Sequence, residues 1–243
     1  MLQKITNRIK SEISKYVIKI QISHRLDYKK PIYLCDNVRL ASCSKEPLTV
    51  KWIETFQKED TVFDIGANAG AYSLIMALYC KHVYAIEPAS INYALLCKNI
   101  SLNVSRGTIQ NNVTPLNIAL SDKNGLETLN YNSTELGTSG QQIVPILNPV
   151  FSQKVICFTL DYFITLFNIN TPTHLKIDVD GIELAILEGS QQLLANMALK
   201  SVMVEMNGDS NSHLITKLLT KNGFKVYDFM SLHGLNKNVW FVR

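Results

Sequence analysis

Apolar and polar positions follow two different rhythms along this chain, and the change near residue 60 divides it. In the first part Leu2, Ile5, Ile9, Ile13, Tyr16, Val17 and Ile20 recur at helical spacing, with Lys4, Arg8, Lys10, Lys15 and Lys19 between them, which predicts a basic amphipathic helix. Residues 31–44 read as a short hairpin turning at Asp36-Asn37, and Pro47 to Lys58 as a helix with proline in its first turn. From residue 61 onward short apolar runs alternate with helical patterns, the sequence form of a parallel sheet covered on both faces. Strands are predicted at 61–65, 82–87, 114–119, 173–178, 200–205, 224–229 and 238–243, and helices near 71–80, 90–103, 182–197 and 210–222. Residues 121–160 break the rhythm with Gly125, Gly137, Gly140, Pro145 and Pro149 and read as an insertion over the site. The expected fold is α/β: a Rossmann-like doubly wound sheet of seven strands, mostly parallel with one antiparallel strand, over residues 61–243, preceded by an N-terminal helical arm over residues 1–60.

Composition narrows the class. A chain of 243 residues, 47% apolar and 18% charged, suits one globular domain with a short addition. The longest apolar candidate, residues 71–79, is well short of the roughly 18 residues of a spanning helix, and no signal peptide is read. The five cysteines, Cys35, Cys43, Cys80, Cys97 and Cys157, lack the paired spacing of a zinc or redox motif, so reduced thiols and a cytoplasmic location are expected. The net charge of +4 comes from residues 1–60, where twelve Lys and Arg face seven Asp and Glu. That surplus is not the clustered stripe of a nucleic-acid binder, so no nucleic-acid partner is expected. The basic helix at residues 1–22 could lie on an anionic membrane surface, giving a peripheral location, or pair with a second copy as a homo-oligomer. Packing on the body is the commonest role of such a helix.

Candidate chemistry begins with Val62-Phe63-Asp64-Ile65-Gly66-Ala67-Asn68-Ala69-Gly70, a strand running through a glycine turn into a helix. Gly66 permits the tight turn and Gly70 a close approach of helix to sheet, which leaves a crevice for a ligand. A pyrophosphate would need backbone where Asn68 stands, whereas S-adenosylmethionine tolerates that side chain. Asp64 could order the loop or meet the methionine ammonium. The next strand ends in Glu87-Pro88, near the offset of ~20 residues at which an acid accepts ribose hydroxyls.

The segments DIGANAG, AIEP, NIALSDKNG and LKIDVDGIELAILEGS occur in order over roughly residues 45–207, and through them the chain resembles the FkbM family of methyltransferases. The resemblance implies a methyltransferase domain at 61–243 that uses S-adenosylmethionine to methylate a hydroxyl oxygen of a small molecule or glycan, such as a sugar or secondary metabolite. It implies cofactor contacts from Asp64, Gly66, Ala67, Asn68, Gly70, Glu87 and Pro88, with Ala119, Leu120 and Ser121 near adenine. Asp180 stands where the family usually has Glu.

A hydroxyl is a poor nucleophile until its proton is taken, so a base is expected at the carboxyl edge of the sheet. Asp178, at the end of the fourth strand, is the first candidate; Asp180, Glu205, His213 and His233 are the others. Lys176 on the same buried strand is expected to pair with a carboxylate. Asp178, Glu205 and Asn207 could together hold Mg²⁺ or Ca²⁺, although a metal-free site is the favoured expectation. Two further classes remain at this point. A nicotinamide-dependent oxidoreductase would share the turn and Glu87, but Asn68 and Ala71 replace the dinucleotide glycines. A cofactor-binding module without catalysis would share every residue named. Amino-group methylation of nucleic acid is disfavoured, because Asp178-Val179-Asp180-Gly181 stands where an Asx-Pro-Pro-aromatic run would be.

Overall fold

Val62, Phe63, Asp64 and Ile65 are all buried, as expected of a strand with helices on both faces. This strand, β3, lies in the interior of the sheet in a computed structural model that describes residues 18–20, 31–35, 45–135, 137, 141–143, 147–232 and 234–243. The described elements, in chain order, are strands β1 (Ile18–Ile20) and β2 (Ile32–Leu34), helix α1 (Pro47–Ile53), β3 (Thr61–Ile65), α2 (Ala71–Tyr79), β4 (His82–Ile86), α3 (Ser90–Ser105) and β5 (Val113–Leu116). They continue with β6 (Ala119–Leu120), β7 (Gly125–Tyr131), β8 (Gln141–Gln142), β9 (Phe151–Phe158), α4 (Leu160–Leu166) and β10 (His174–Ile177). The chain then runs through α5 (Glu183–Glu188), α6 (Gln191–Ala195), β11 (Ser201–Met206), α7 (Ser210–Lys221), β12 (Lys225–Ser231) and β13 (Lys237–Val242).

Seven strands form the central sheet in the order β12-β13-β11-β10-β3-β4-β5. Neighbours from β11 to β5 pair in parallel, while β13 runs antiparallel to β11 and to β12. The mixed sheet therefore has one reversed strand, as the sequence predicts. Alternation sends Val62, Val83, Ala85 and Met203 to a core shared with Trp52, Leu74 and Leu96. Phe63, Ile65, Leu175, Ile177 and Val204 face the opposite core, with Leu187 and Leu219.

Several sequence expectations change. Residues 114–119 are not one strand: β5 stays in the central sheet, whereas β6 pairs with β9 in a separate sheet of order β6-β9-β7-β8. Asn117, between them, donates from Nδ2 to the carbonyls of Glu87 (2.8 Å) and Pro88 (2.9 Å), turning the chain away from the first sheet. The insertion is thus a small sheet of its own, followed by the unanticipated helix α4, which Thr159 caps by accepting from the Tyr162 amide. The helix predicted at 182–197 breaks at Gly189, where a Cβ would lie 2.3 Å from the Ser121 carbonyl oxygen, and Asp161 caps the new start through the amides of Gln192 (2.7 Å) and Leu193 (2.9 Å). Residues 18–20, read as the end of the amphipathic helix, form a strand antiparallel to residues 32–34. The rest of that helix up to residue 17, and the turn at Asp36-Asn37, lie outside the described residues. Among the described residues no helix is long and apolar enough to cross a membrane.

The amino edge of the sheet is held by a buried polar line. Asp60 Oδ2 meets His174 Nε2 at 3.0 Å, and His174 Nδ1 meets Ser201 Oγ at 2.7 Å. Trp52 of α1 donates to the same Ser201 oxygen at 2.7 Å. With Trp52 donating, the serine proton goes to Nδ1 and Nε2–H donates to Asp60. Burial pushes the His174 pKa down, which keeps the ring neutral.

Candidate active site

The strand order reverses between β3 and β10, since β3, β4 and β5 proceed one way across the sheet and β10 and β11 the other. In doubly wound sheets ligands enter outside the carboxyl ends of the strands at such a point. A cavity of about 610 Å³ opens there, in the range that encloses a small organic ligand.

Its floor is backbone against backbone. Gly66 adopts φ 82°, and a Cβ at that position would sit 1.8 Å from the Asp178 carbonyl oxygen. The Asp178 amide in turn donates to the Ile65 carbonyl at 3.0 Å. The turn is fixed on its other side by the amides of Gly66 and Ala67, which share the Ile86 carbonyl, and by Asn68, which takes φ 51°. The Asn68 amide donates to Glu87 Oε2 at 2.8 Å and the Ala89 amide to Glu87 Oε1 at 2.9 Å. Glu87 is 95% buried yet lines the cavity. Its orientation is therefore set by backbone.

Beneath the floor lies an ionic layer. Parallel register puts Lys176 beside Asp64. The buried ammonium is 2.6 Å from Asp178 Oδ2 and 3.5 Å from Asp64 Oδ1, and lies 5.0 Å from the centre of the Tyr72 ring. Burial alone would lower the Lys176 pKa, but Asp178 and Asp64 more than offset it, so the ammonium stays charged. Asp64 is fully buried and accepts from Ser73 Oγ at 2.5 Å.

Two further carboxyls face Asp178. Glu205 is pushed up to about 9, by burial first and then by its hydrogen bond to Asp178 and that residue's charge. At neutral pH Glu205 accordingly carries a proton and Asp178 the negative charge. Glu46, which immediately precedes α1, is also raised by burial and by Asp178; it accepts hydrogen bonds from Asn238 Nδ2 at 2.9 Å and from the Tyr72 hydroxyl. Glu183, near the first turn after Asp180, is pushed up to about 7, chiefly by burial.

Of the residues expected at a cofactor site, Gly66, Ala67, Asn68, Glu87, Pro88, Ala119 and Leu120 line the cavity. Asp64, Gly70 and Ser121 are not among its lining. Asp64 is committed to Lys176 and Ser73, which leaves it to order the loop from below rather than to meet a ligand ammonium. Gly70 starts α2 at φ 83°, where a Cβ would press on Leu96 at 2.5 Å. Of the expected bases, Asp178, Asp180 and Glu205 line the cavity, whereas His213 is exposed on α7 outside it and His233 lies outside the described residues. Asn207 is not in the cavity wall either, so of the expected metal trio only Asp178 and Glu205 line it. Among the described residues no group of three His, Cys, Asp or Glu could hold a metal ion.

Sequence reasoning missed Lys45, Glu46, Tyr72, Ser231 and Asn236, all in the wall. No motif marks them, because each reaches the cavity through tertiary packing. From the insertion, Leu129 and Ile143 reach the wall on the side of Ala119, and Ile118 and Leu120 make the same side apolar.

A sheet with one reversed strand, a glycine turn after its first parallel strand and an acid after its second define a methyltransferase of the doubly wound type. Residues 64–226 match the Methyltransferase FkbM domain, and the chain belongs to that family. It is 25% identical over 169 residues to the hexuronic acid methyltransferase AglP of Haloferax volcanii, covering 70% of this chain and 65% of that protein. The fold is similar to the crystal structure of the methyltransferase FkbM from Methylobacillus flagellatus KT, with TM-score 0.56 and 15% identity over 77% of this chain and 44% of that one. It is also similar to a ribosomal protein L11 methylase from Lactobacillus delbrueckii subsp. bulgaricus, with TM-score 0.51 and 15% identity over 82% and 78% of the two chains. The chain thus spans less than two thirds of AglP and less than half of the FkbM structure. The nicotinamide-dependent oxidoreductase reading falls with the family assignment.

Proposed function

We propose that the chain transfers a methyl group from S-adenosylmethionine to a hydroxyl of a sugar, glycan or secondary metabolite. One observation carries the reading: a backbone-oriented acid, Glu87, and a charged Asp178 held by Lys176 line one cavity at the reversal point of the sheet. The residues present fit the cofactor. Glu87 would accept from the ribose hydroxyls, and the apolar wall of Ile118, Leu120, Leu129 and Ile143 suits adenine. When bound, S-adenosylmethionine supplies a methyl group on a positively charged sulfur.

The chain's own task is alignment, exclusion of water and removal of one proton. Asp178 takes the acceptor's hydroxyl proton onto its carboxylate as the oxygen gains the methyl group. Lys176 keeps Asp178 ionised beforehand, and protonated Glu205 donates to it, which fixes its orientation. The name of the Haloferax relative supports a sugar-derived acceptor. The cysteine spacing, without the pairs of a zinc or redox motif, supports a cytoplasmic location.

Two measurements test the reading. Glu87→Gln is expected to weaken S-adenosylhomocysteine binding by about 1–3 kcal/mol in calorimetric titration, the range for hydrogen bonds to charged groups. Unchanged affinity would remove Glu87 from the cofactor site. Asp178→Asn is expected to lower the turnover of labelled methyl transfer about 100-fold while S-adenosylhomocysteine affinity stays near wild type. Cofactor binding by the wild type without transfer to any hydroxyl would leave a binding module instead.

A further inference from the structure

We infer that the methyl acceptor is an uncharged polyol recognised through Glu46 with Asn236 and Ser231, and that the 121–160 insertion serves the adenosyl end of the cavity instead. The inference rests on the hydroxyl-methylation reading above and adds where the acceptor sits and what class it is.

The walls of the cavity differ in chemistry from end to end. Among the described residues the insertion contributes Leu129 and Ile143, both apolar and packed with Ala89 and Ala119. Such a wall offers no partner to a hydroxyl and suits the face of a base. At the Asp178 end the wall is polar. Asn236 donates from Nδ2 to Glu205 Oε1 at 3.3 Å, and Glu46 is held by Asn238, the residue paired opposite Glu205 in the sheet. Ser231 and Asn236 flank the turn between β12 and β13, so β12, β13 and the start of α1 close this end together.

Charge selects the acceptor class. Of the carboxyl groups at this end of the cavity, Asp178 and Asp180 bring negative charge and protonated Glu205 brings none, while the nearest buried cation, Lys176, is already bonded to Asp178. Lys45 is exposed. Carboxyl oxygens accept hydrogen bonds from sugar hydroxyls, whereas an acceptor bearing its own carboxylate would meet like charges on entry. Glu46, Ser231 and Asn236 all lie outside the matched family domain. The domain common to the family therefore supplies the donor half and Asp178, and segments flanking it complete the acceptor half.

The test measures labelled methyl transfer by the full chain to neutral methyl glycosides (glucoside, mannoside, galactoside) and to the corresponding glucuronoside, with S-adenosylhomocysteine affinity measured in parallel. A neutral glycoside is expected to be methylated in preference to the glucuronoside. Glu46→Gln and Asn236→Ala are each expected to raise the acceptor KM about tenfold, with S-adenosylhomocysteine affinity within about twofold of wild type. Ile143→Ala is expected to do the reverse, weakening S-adenosylhomocysteine and leaving the acceptor KM within about twofold. Preference for the glucuronoside, an acceptor KM indifferent to Glu46 and Asn236, or a KM that responds to Ile143 would overturn the inference while hydroxyl methylation stands. Transfer to a non-glycoside hydroxyl but to none of these glycosides would overturn the inference alone, and cofactor binding without transfer to any hydroxyl would overturn both.

Discussion

Gly66→Ala is expected to cost about 2–5 kcal/mol of stability and to abolish cofactor binding, adding a left-handed backbone penalty of roughly 1–2 kcal/mol to an overpacking cost of roughly 1–3 kcal/mol. The reason is local. The residue sits at φ 82°, and its Cβ would meet the Asp178 carbonyl oxygen at 1.8 Å, an atom that cannot move without lifting the end of β10 from β3. Denaturant titration gives the stability and calorimetry the affinity. An alanine variant with wild-type midpoint and affinity would show that the two strand ends are further apart than described.

Lys176→Met is expected to destabilise the fold by a similar amount, about 3–5 kcal/mol, because it strands buried carboxylates without a counter-charge. Asp64 has no exposure and its other polar contact is Ser73, so it depends on the ammonium for compensation. Combining Lys176→Met with Asp64→Asn is expected to recover part of the loss, since one stranded charge is then gone. Thermal unfolding of the two variants decides this. A single variant as stable as wild type, or a double variant less stable than the single, would show that the ion cluster is not what holds these strand ends.

The strands around the site were legible because strands buried on both faces are written as dense apolar runs, as Val62 to Ile65 and Leu175 to Ile177 are apart from Asp64 and Lys176. Gly66, Glu87 and Asp178 were legible for a related reason: each closes such a run, where a doubly wound sheet presents its ligands. What could not be read depends on contacts distant in sequence. The break at Gly189 answers to the Ser121 carbonyl, and the end of β5 answers to Asn117 reaching back to Glu87 and Pro88. Helix α4 is a short element with no long periodic signal. Asp64 shows the limit in the other direction: its place in the motif suggests ligand contact, and only the geometry reveals that Lys176 and Ser73 occupy it. Glu46 carries no local signature beyond preceding a proline, and its place at the cavity follows from how α1 lies on the sheet.

That placement gives the polar line at the amino edge a mechanical meaning. Asp60, His174 and Ser201 have the donor sequence of a hydrolytic triad, but Trp52 occupies the serine oxygen and all three residues are buried, so the line anchors rather than reacts. Its anchor point is one end of α1, and Glu46 stands at the other, roughly 9 Å away at 1.5 Å per residue. The helix works as a strut, so that a clasp at the edge remote from the cavity sets where one carboxyl group stands in its wall.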